Sequence, residues 1–220
     1  MQSQSWLSAI FNMTVKESLK ELGAIKRKMA PDIYLISFED SLNMCMTLLR
    51  FAEHYESPKF RNKIFTLKEF KAWYKTTHNG YFSYYYDWAG FNIPSYAFVP
   101  FWQKKFNPLT KKEKLFLDVI RNIKEPYYII AAVKGSKVTI RHEAAHGLFY
   151  TNETYRDKVT KIISGLDTKA AYKKLKKAGY CKEVLLDEFN ANAVDGNKWL
   201  LEDGKIKKDL NKLFHRYWKK

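Results

Sequence analysis

Two histidines and a glutamate follow the pattern H-E-x-x-H within residues 138–150 of the sequence. Residues four positions apart lie on the same face of an α-helix, so His142 and His146 can bind one metal ion together. Glu143 projects beside that ion, where its carboxylate can take a proton from a metal-bound water that attacks a carbonyl group. The spacing suits zinc, and it predicts a hydrolytic zinc site.

The residues around this motif are mostly apolar, which predicts a buried helix. Two histidines on a buried helix need a polar partner, and one metal ion would satisfy both of them. The alternative is a surface helix that carries the three residues by chance, because a motif match alone is a hypothesis. The apolar neighbours are Val138, Ile140, Ala144, Ala145, Leu148 and Phe149.

A third ligand is expected from residues 182–194, which have the pattern of a second helix. On that helix Glu188 shares a largely apolar face with Leu185 and Ala191. Burying a carboxylate without a partner is costly, and a cation held by two histidines would satisfy it. We therefore predict Glu188 as the third metal ligand. A pairing of Glu188 with one of the many lysines is the alternative.

These residues resemble the gluzincin class of zinc metallopeptidases, in which H-E-x-x-H gives two ligands and a glutamate on a later helix gives the third. The resemblance is local, covering residues 142–146 and the segment 188–192. It implies a Zn²⁺ cofactor and a protein or peptide substrate, hydrolysed through a zinc-bound water that Glu143 activates. The sequence departs from the class pattern at Asn192, where an aspartate normally orients a ligand histidine. A shifted register with Glu183 as ligand and Asp187 as the aspartate remains open.

The resemblance also implies an α+β fold, mostly helical and zincin-like, with a small β-sheet that precedes the active-site helix. The sequence pattern agrees, because residues 127–133 are rich in β-formers and lead directly into the motif. We expect an N-terminal helical and aromatic-rich lobe in residues 1–126 and a catalytic portion in residues 127–220, together forming one compact unit.

Other elements follow from capping boxes and periodicity. The box that begins at Thr14 predicts a helix running toward Met29, where Pro31 stops it. The aromatic segment 81–102 lacks helical periodicity, and we expect it to form core and a cleft wall. Further predicted elements are a strand at 33–38 and helices at 41–55, from Thr66, from Thr110, 153–164, 167–178 and 182–194.

A tetrahedral intermediate at zinc usually needs one further hydrogen-bond donor from the protein. The candidates within or after the motif are Tyr150, Tyr155, Tyr180 and His215. Tyr155 is the first choice because it follows the motif helix closely, and His215 is the second.

The charge balance supports a competing interpretation. The 220 residues have a formal net charge of +16, and residues 205–220 are notably basic. Such a chain could be a nucleic-acid-binding or other interaction protein with a structural or vestigial metal site. A structural zinc site usually has four protein ligands that commonly include cysteine, and Cys45 and Cys181 lack that spacing. We therefore rank this interpretation second.

The sequence shows no apolar run of 18 residues and no basic segment before an apolar stretch near residue 1. We accordingly expect no membrane span and no signal peptide. A cytoplasmic location is the simplest expectation, and secretion without a cleaved signal remains open.

Overall fold

The computed structural model describes residues 13–57, 59–178, 180, 182–196, 200 and 204–218. Cys181 and the apolar patch at residues 6–11 lie outside the described residues. The helices are α1 Val15–Glu21, α2 Ser41–Glu56, α3 Leu67–Thr77, α4 Tyr84–Asp87, α5 Val99–Trp102, α6 Lys111–Ile120, α7 Lys137–Thr151, α8 Glu153–Ser164, α9 Lys169–Lys177, α10 Leu185–Asp195 and α11 Gly204–Trp218. The strands are β1 Ala24–Ala30, β2 Ile33–Phe38, β3 Gly90–Pro94 and β4 Tyr128–Val133, and two short 3₁₀ helices cover Ser95–Phe98 and Lys182–Val184.

The four strands form one mixed sheet in the order β1-β2-β4-β3. β2 and β4 run parallel, with Ile33 opposite Tyr128 and Phe38 opposite Val133. β1 and β3 pair antiparallel on either side, so β3 is an edge strand. The chain is thus mostly helical with a small sheet, which confirms the predicted α+β class. Strands from both sides of residue 126 belong to this sheet, so the two predicted portions share one scaffold.

The predicted helix from Thr14 to Met29 is wrong in its second half. Thr14 does cap a helix through a full capping box, but α1 ends at Glu21. Gly23 has a φ of +60°, a left-handed conformation that costs glycine little, and the chain turns there into β1. β1 pairs with β2 over most of its length, so sheet pairing outweighs local helix propensity in this segment.

The alternation of side chains along β4 divides the core into two clusters. Ile129 and Ala131 point to the first cluster, which α2 and α6 cover. Tyr128 and Ile130 point to the second cluster, which α7, α8, α10 and α11 cover. The aromatic segment packs its rings into the first cluster, as predicted for core, and each fully buried phenylalanine contributes about 1.5–3 kcal/mol. Its buried rings are those of Tyr84, Phe91, Phe98 and Phe101.

None of the described helices combines the length and the apolar character that a bilayer-spanning helix requires.

Gly90 sets the distance between β3 and the motif helix α7. A Cβ at this position would lie 2.5 Å from Thr139 Cγ2 and 3.0 Å from the carbonyl oxygen of Ala131. Both contacts are too short, so Gly90→Ala must push β3 away from α7. We expect a loss of about 1–3 kcal/mol in the free energy of unfolding, measured by urea denaturation.

The matched control for this prediction is Gly204→Ala, because no heavy atom of the described part of the chain lies within 4 Å of the Cβ that would be added at Gly204. We expect that substitution to leave the free energy of unfolding within about 0.5 kcal/mol of the wild type. Equal stabilities for both variants would contradict the close approach of β3 to α7.

Candidate metal centre

The site lies between two helices, α7 and α10, which can approach closely because their facing residues are small. Ala144 and Ala145 on α7 and Ala191 and Ala193 on α10 are all buried in the second cluster. Small side chains allow the helix axes to come near one another, so short functional side chains can meet across the interface. This packing brings the histidines of α7 to the glutamate of α10.

His142, His146 and Glu188 converge on one point, with one ligand atom from each lying within 4.8 Å of the others. The two Nε2 atoms are 3.2 Å apart. The carboxylate oxygens of Glu188 lie 3.6 Å from His146 Nε2 and 3.9 Å from His142 Nε2. Tetrahedral zinc with bonds of about 2.0–2.2 Å holds neighbouring ligand atoms about 3.3–3.5 Å apart. The donor set and its spacing therefore fit a zinc ion.

Each histidine is oriented from behind by a carboxylate. His142 Nδ1 lies 2.8 Å from Asp195 Oδ2, and His146 Nδ1 lies 2.8 Å from Asp187 Oδ2. Both Nδ1 atoms must therefore carry a hydrogen, which leaves Nε2 of each neutral ring with only a lone pair. Two lone pairs that face each other at 3.2 Å repel, so a proton or a metal ion must lie between them.

The charges around His146 also require a positive charge at this position. Burial acts to lower the pKa of His146, but Asp187 and Glu188 outweigh that effect and hold the pKa well above its usual range. In the metal-free protein a proton therefore supplies the positive charge at this position. Ligand histidines release that proton when a metal binds.

Glu188 is buried, and its Oε2 has no hydrogen-bond partner among the described residues. Burial raises the pKa of this carboxyl group, while His146 and His142 act in the opposite direction. A metal ion would satisfy the oxygen that lacks a partner. Glu183, the alternative ligand, lies instead on an exposed 3₁₀ helix and is not a member of the converging group.

Glu143 is buried beside this group and is held by the edge strand. The side-chain amide of Asn92 on β3 donates to Glu143 Oε2 at 2.7 Å. The hydroxyl of Tyr128 in turn donates to Asn92 Oδ1 at 2.5 Å. A carboxylate oriented in this way, one residue after a ligand histidine, can act as a base toward a water at the site.

The expectation for Tyr155 as oxyanion donor is corrected by its position. Tyr155 has 0 % exposure in the second cluster, and its hydroxyl donates to Asn190 Oδ1 at 3.0 Å. Such a hydroxyl is not presented to a substrate. Residues 153–164 form a helix that turns this ring into the core, because Tyr155, Val159 and Ile163 share its buried face.

His215 is exposed on α11, where its Nε2 lies 3.4 Å from Arg141 Nη2, and it is not a member of the converging group. Tyr150 contacts the rings of Tyr96 and Tyr128 at the far end of α7. Tyr180 differs from these residues in its electrostatic surroundings. Burial raises its pKa, and the charges of Glu188, Glu56 and Glu143 raise it further, so Tyr180 lies within electrostatic range of these carboxylates.

Sequence reasoning named Asp187 as an orienting aspartate only in the shifted register with Glu183 as ligand, and it did not identify Asp195 or Asn92. Asp195 was detectable, because it follows Glu188 by seven residues and so lies nearly two turns along the same helix face. A negative charge in the last turn of a helix interacts unfavourably with the helix dipole, so an aspartate at this position indicates a compensating partner. Asn92 gave no such signal, since its contact with Glu143 spans 51 residues of sequence. Aspartates do orient the histidines, namely Asp195 and Asp187, while the amide nitrogen of Asn192 donates to the carbonyl oxygen of Glu188.

No protein-family model, curated protein or solved structure matches this chain. The interpretation of the site therefore rests on its own geometry and chemistry.

Proposed function

We propose that this chain is a zinc-dependent metallopeptidase that hydrolyses a peptide bond with Glu143 as general base. The supporting observation is the convergence of His142, His146 and Glu188 on one point, with a carboxylate behind each histidine. A purely structural zinc site commonly has four protein ligands, whereas three ligands leave a position for water or substrate. The group found among the described residues has three members.

When bound, a zinc ion supplies Lewis acidity, lowering the pKa of water and polarising a carbonyl oxygen. Glu143 then takes the proton from the attacking water and passes it to the leaving amine. Asn92 holds the Glu143 carboxylate in position through the amide hydrogen bond. Tyr180 is our choice for donor to the developing oxyanion, because it is 39 % exposed and its hydroxyl keeps its proton at neutral pH.

The edge strand favours a peptide over another amide. β3 pairs with β4 on one side, and in the described sheet it has no strand on the other. An extended peptide can add to such an edge through backbone hydrogen bonds. Asn92 lies on this strand and contacts Glu143, so a peptide along β3 would pass beside the proposed base.

The experiment that tests this function uses the full chain stripped of metal by a chelator and then supplied with one metal at a time. We expect zinc to restore cleavage of members of a mixed peptide library, detected by mass spectrometry. Absence of cleavage with zinc, cobalt and manganese alike would contradict the proposal.

A narrower prediction concerns Asn92 as a positioning residue for Glu143. Asn92→Ala should lower kcat by roughly tenfold or more, because a misplaced base transfers protons poorly. We expect KM and metal content to stay near their wild-type values, since Asn92 touches neither the ligands nor their aspartates in the hydrogen bonds described. A kcat equal to that of the wild type would show that Glu143 needs no support from β3.

A second candidate function, binding of nucleic acid, is favoured by helix α9. This helix buries Ala171 and Leu175 and presents an exposed basic face. Binding through such a face should weaken steeply with salt and should not change in Glu143→Gln. The exposed lysines of α9 are Lys169, Lys173, Lys174, Lys176 and Lys177.

A further inference from the structure

A cavity of about 220 Å³ lies at the end of α2, bounded by α3 and by the turn after α4. Three acidic and three aromatic side chains form much of its wall, and they are Glu53, Glu56, Asp87, Trp73, Tyr74 and Trp88. This volume is below the range of about 300–1,000 Å³ typical of drug-sized ligands, so it suits one side chain better than a whole small molecule.

Glu56 connects this cavity to the proposed active site. It lines the cavity, and its carboxylate interacts electrostatically with Glu143, Glu188 and His146. Burial among protein atoms, followed by the negative charges of Glu143 and Glu188, raises the pKa of Glu56 to about 8. Part of the Glu56 residue is nevertheless exposed to solvent. Glu56 thus lies within electrostatic range of the metal group, and a group in the cavity would share that range.

Glu53 is one of the buried residues that line the cavity, and it lacks a countercharge among the described residues. It is 7 % exposed, and it forms no ion pair with a described lysine, arginine or histidine. The buried cation on the same helix, Arg50, is held by Glu113 through two hydrogen bonds. The hydroxyl groups of Ser57 and Tyr84 lie beside Glu53, and neither of them brings a positive charge. Polar groups buried in this way are stabilised when a cationic donor reaches them.

The walls of the cavity also favour a cation. Indole and phenol rings attract positive charge at their faces. The ammonium group of Lys59 already lies 5.6 Å from the ring centroid of Trp73, so this ring accepts a cation within the protein itself. No lysine or arginine is among the described residues that line the cavity, although the chain has 39 of them against 23 acidic residues. The cavity is thus an acidic spot on a basic molecule.

We propose that this cavity binds a basic side chain, lysine or arginine, of the peptide substrate. The role of the bound group as part of a substrate rests on the proposed function, whereas the pocket itself is independent of catalysis. Glu53 pairs with the cationic head, and Trp73 and Trp88 pack against the aliphatic stem.

The test is calorimetric titration of the full chain with three blocked amino-acid amides, Nα-acetyl-arginine amide, Nα-acetyl-lysine amide and Nα-acetyl-norleucine amide. We expect at least one cationic amide to bind about tenfold more tightly than the neutral one, as a charged hydrogen bond and a cation–π contact together allow. Glu53→Gln should remove this preference. Asp157→Asn, the same loss of charge at an exposed position on α8, should keep it.

Equal binding of the three amides, or a preference that Glu53→Gln leaves unchanged, would overturn the pocket assignment. If circular dichroism shows that Glu53→Gln does not fold, Trp88→Ala decides in its place, because Trp88 is 41 % exposed and outside the core. Selective binding without peptide cleavage would contradict the proposed function and support the pocket assignment. Cleavage of arginine and norleucine peptides at equal rates, with no selective binding, would support the proposed function and contradict the pocket assignment.

Discussion

Replacing Glu143 with glutamine should abolish most peptide hydrolysis and leave metal binding intact. The amide keeps the size of the side chain and can still meet Asn92, but it cannot accept the proton of the attacking water. General base catalysis of this kind contributes roughly 100- to 10,000-fold, and we expect a fall in kcat of that order. Glu143 is absent from the ligand group, so metal content should match that of the wild type.

The control for Glu143 is the same substitution at Glu153, which is exposed in the first turn of α8. Glu153→Gln should hydrolyse peptides at the wild-type rate. Equal hydrolysis by the wild type and by Glu143→Gln would show that the activity comes from another group or another protein. Loss of metal in Glu143→Gln would show instead that Glu143 is a ligand.

The second large effect is expected for Glu188→Ala, which removes one of the three proposed ligands. Loss of a carboxylate that merely supports a ligand costs roughly 10- to 100-fold in metal affinity, and loss of the ligand itself should cost more. We therefore expect zinc affinity to fall by more than about 100-fold, measured by competition with a chelating dye. Activity at low zinc concentration should disappear with it.

Glu183→Ala is the matched comparison for Glu188→Ala, because both remove a glutamate from the same short region of the chain. Glu183 is exposed and outside the converging group, so its replacement should leave zinc affinity unchanged. The reverse result, with Glu183→Ala weakening zinc and Glu188→Ala not, would establish the shifted register.

The grouping of His142, His146 and Glu188 was predictable because the sequence signals of these residues are local. H-E-x-x-H fixes two side chains on one helix face, and a carboxylate in the apolar face around Glu188 is conspicuous. The approach of α7 to α10 was not predictable in the same way. It depends on alanines that pack across 40 or more residues of sequence, and on Gly196, whose φ of +82° ends α10 directly after Asp195.

The failures of the sequence interpretation have related causes. The segment 24–30 has residues that tolerate a helix, and only pairing with β2 makes it a strand. Tyr155 follows the motif closely in sequence, yet the turn at Asn152 starts a new helix that directs its ring into the core. Proximity along the chain says little about direction when a helix boundary intervenes. Contacts such as Asn92 with Glu143 require the sheet order, which the sequence pattern does not reveal.

The most direct measurement of the central claim is the metal content of the purified chain, determined by elemental analysis beside that of His142→Ala. If His142, His146 and Glu188 form a zinc site, the wild type purified without chelator should carry about one zinc per chain, and His142→Ala only a trace. A wild-type protein that holds no more than trace metal, even after zinc is added and the excess removed, would contradict the account.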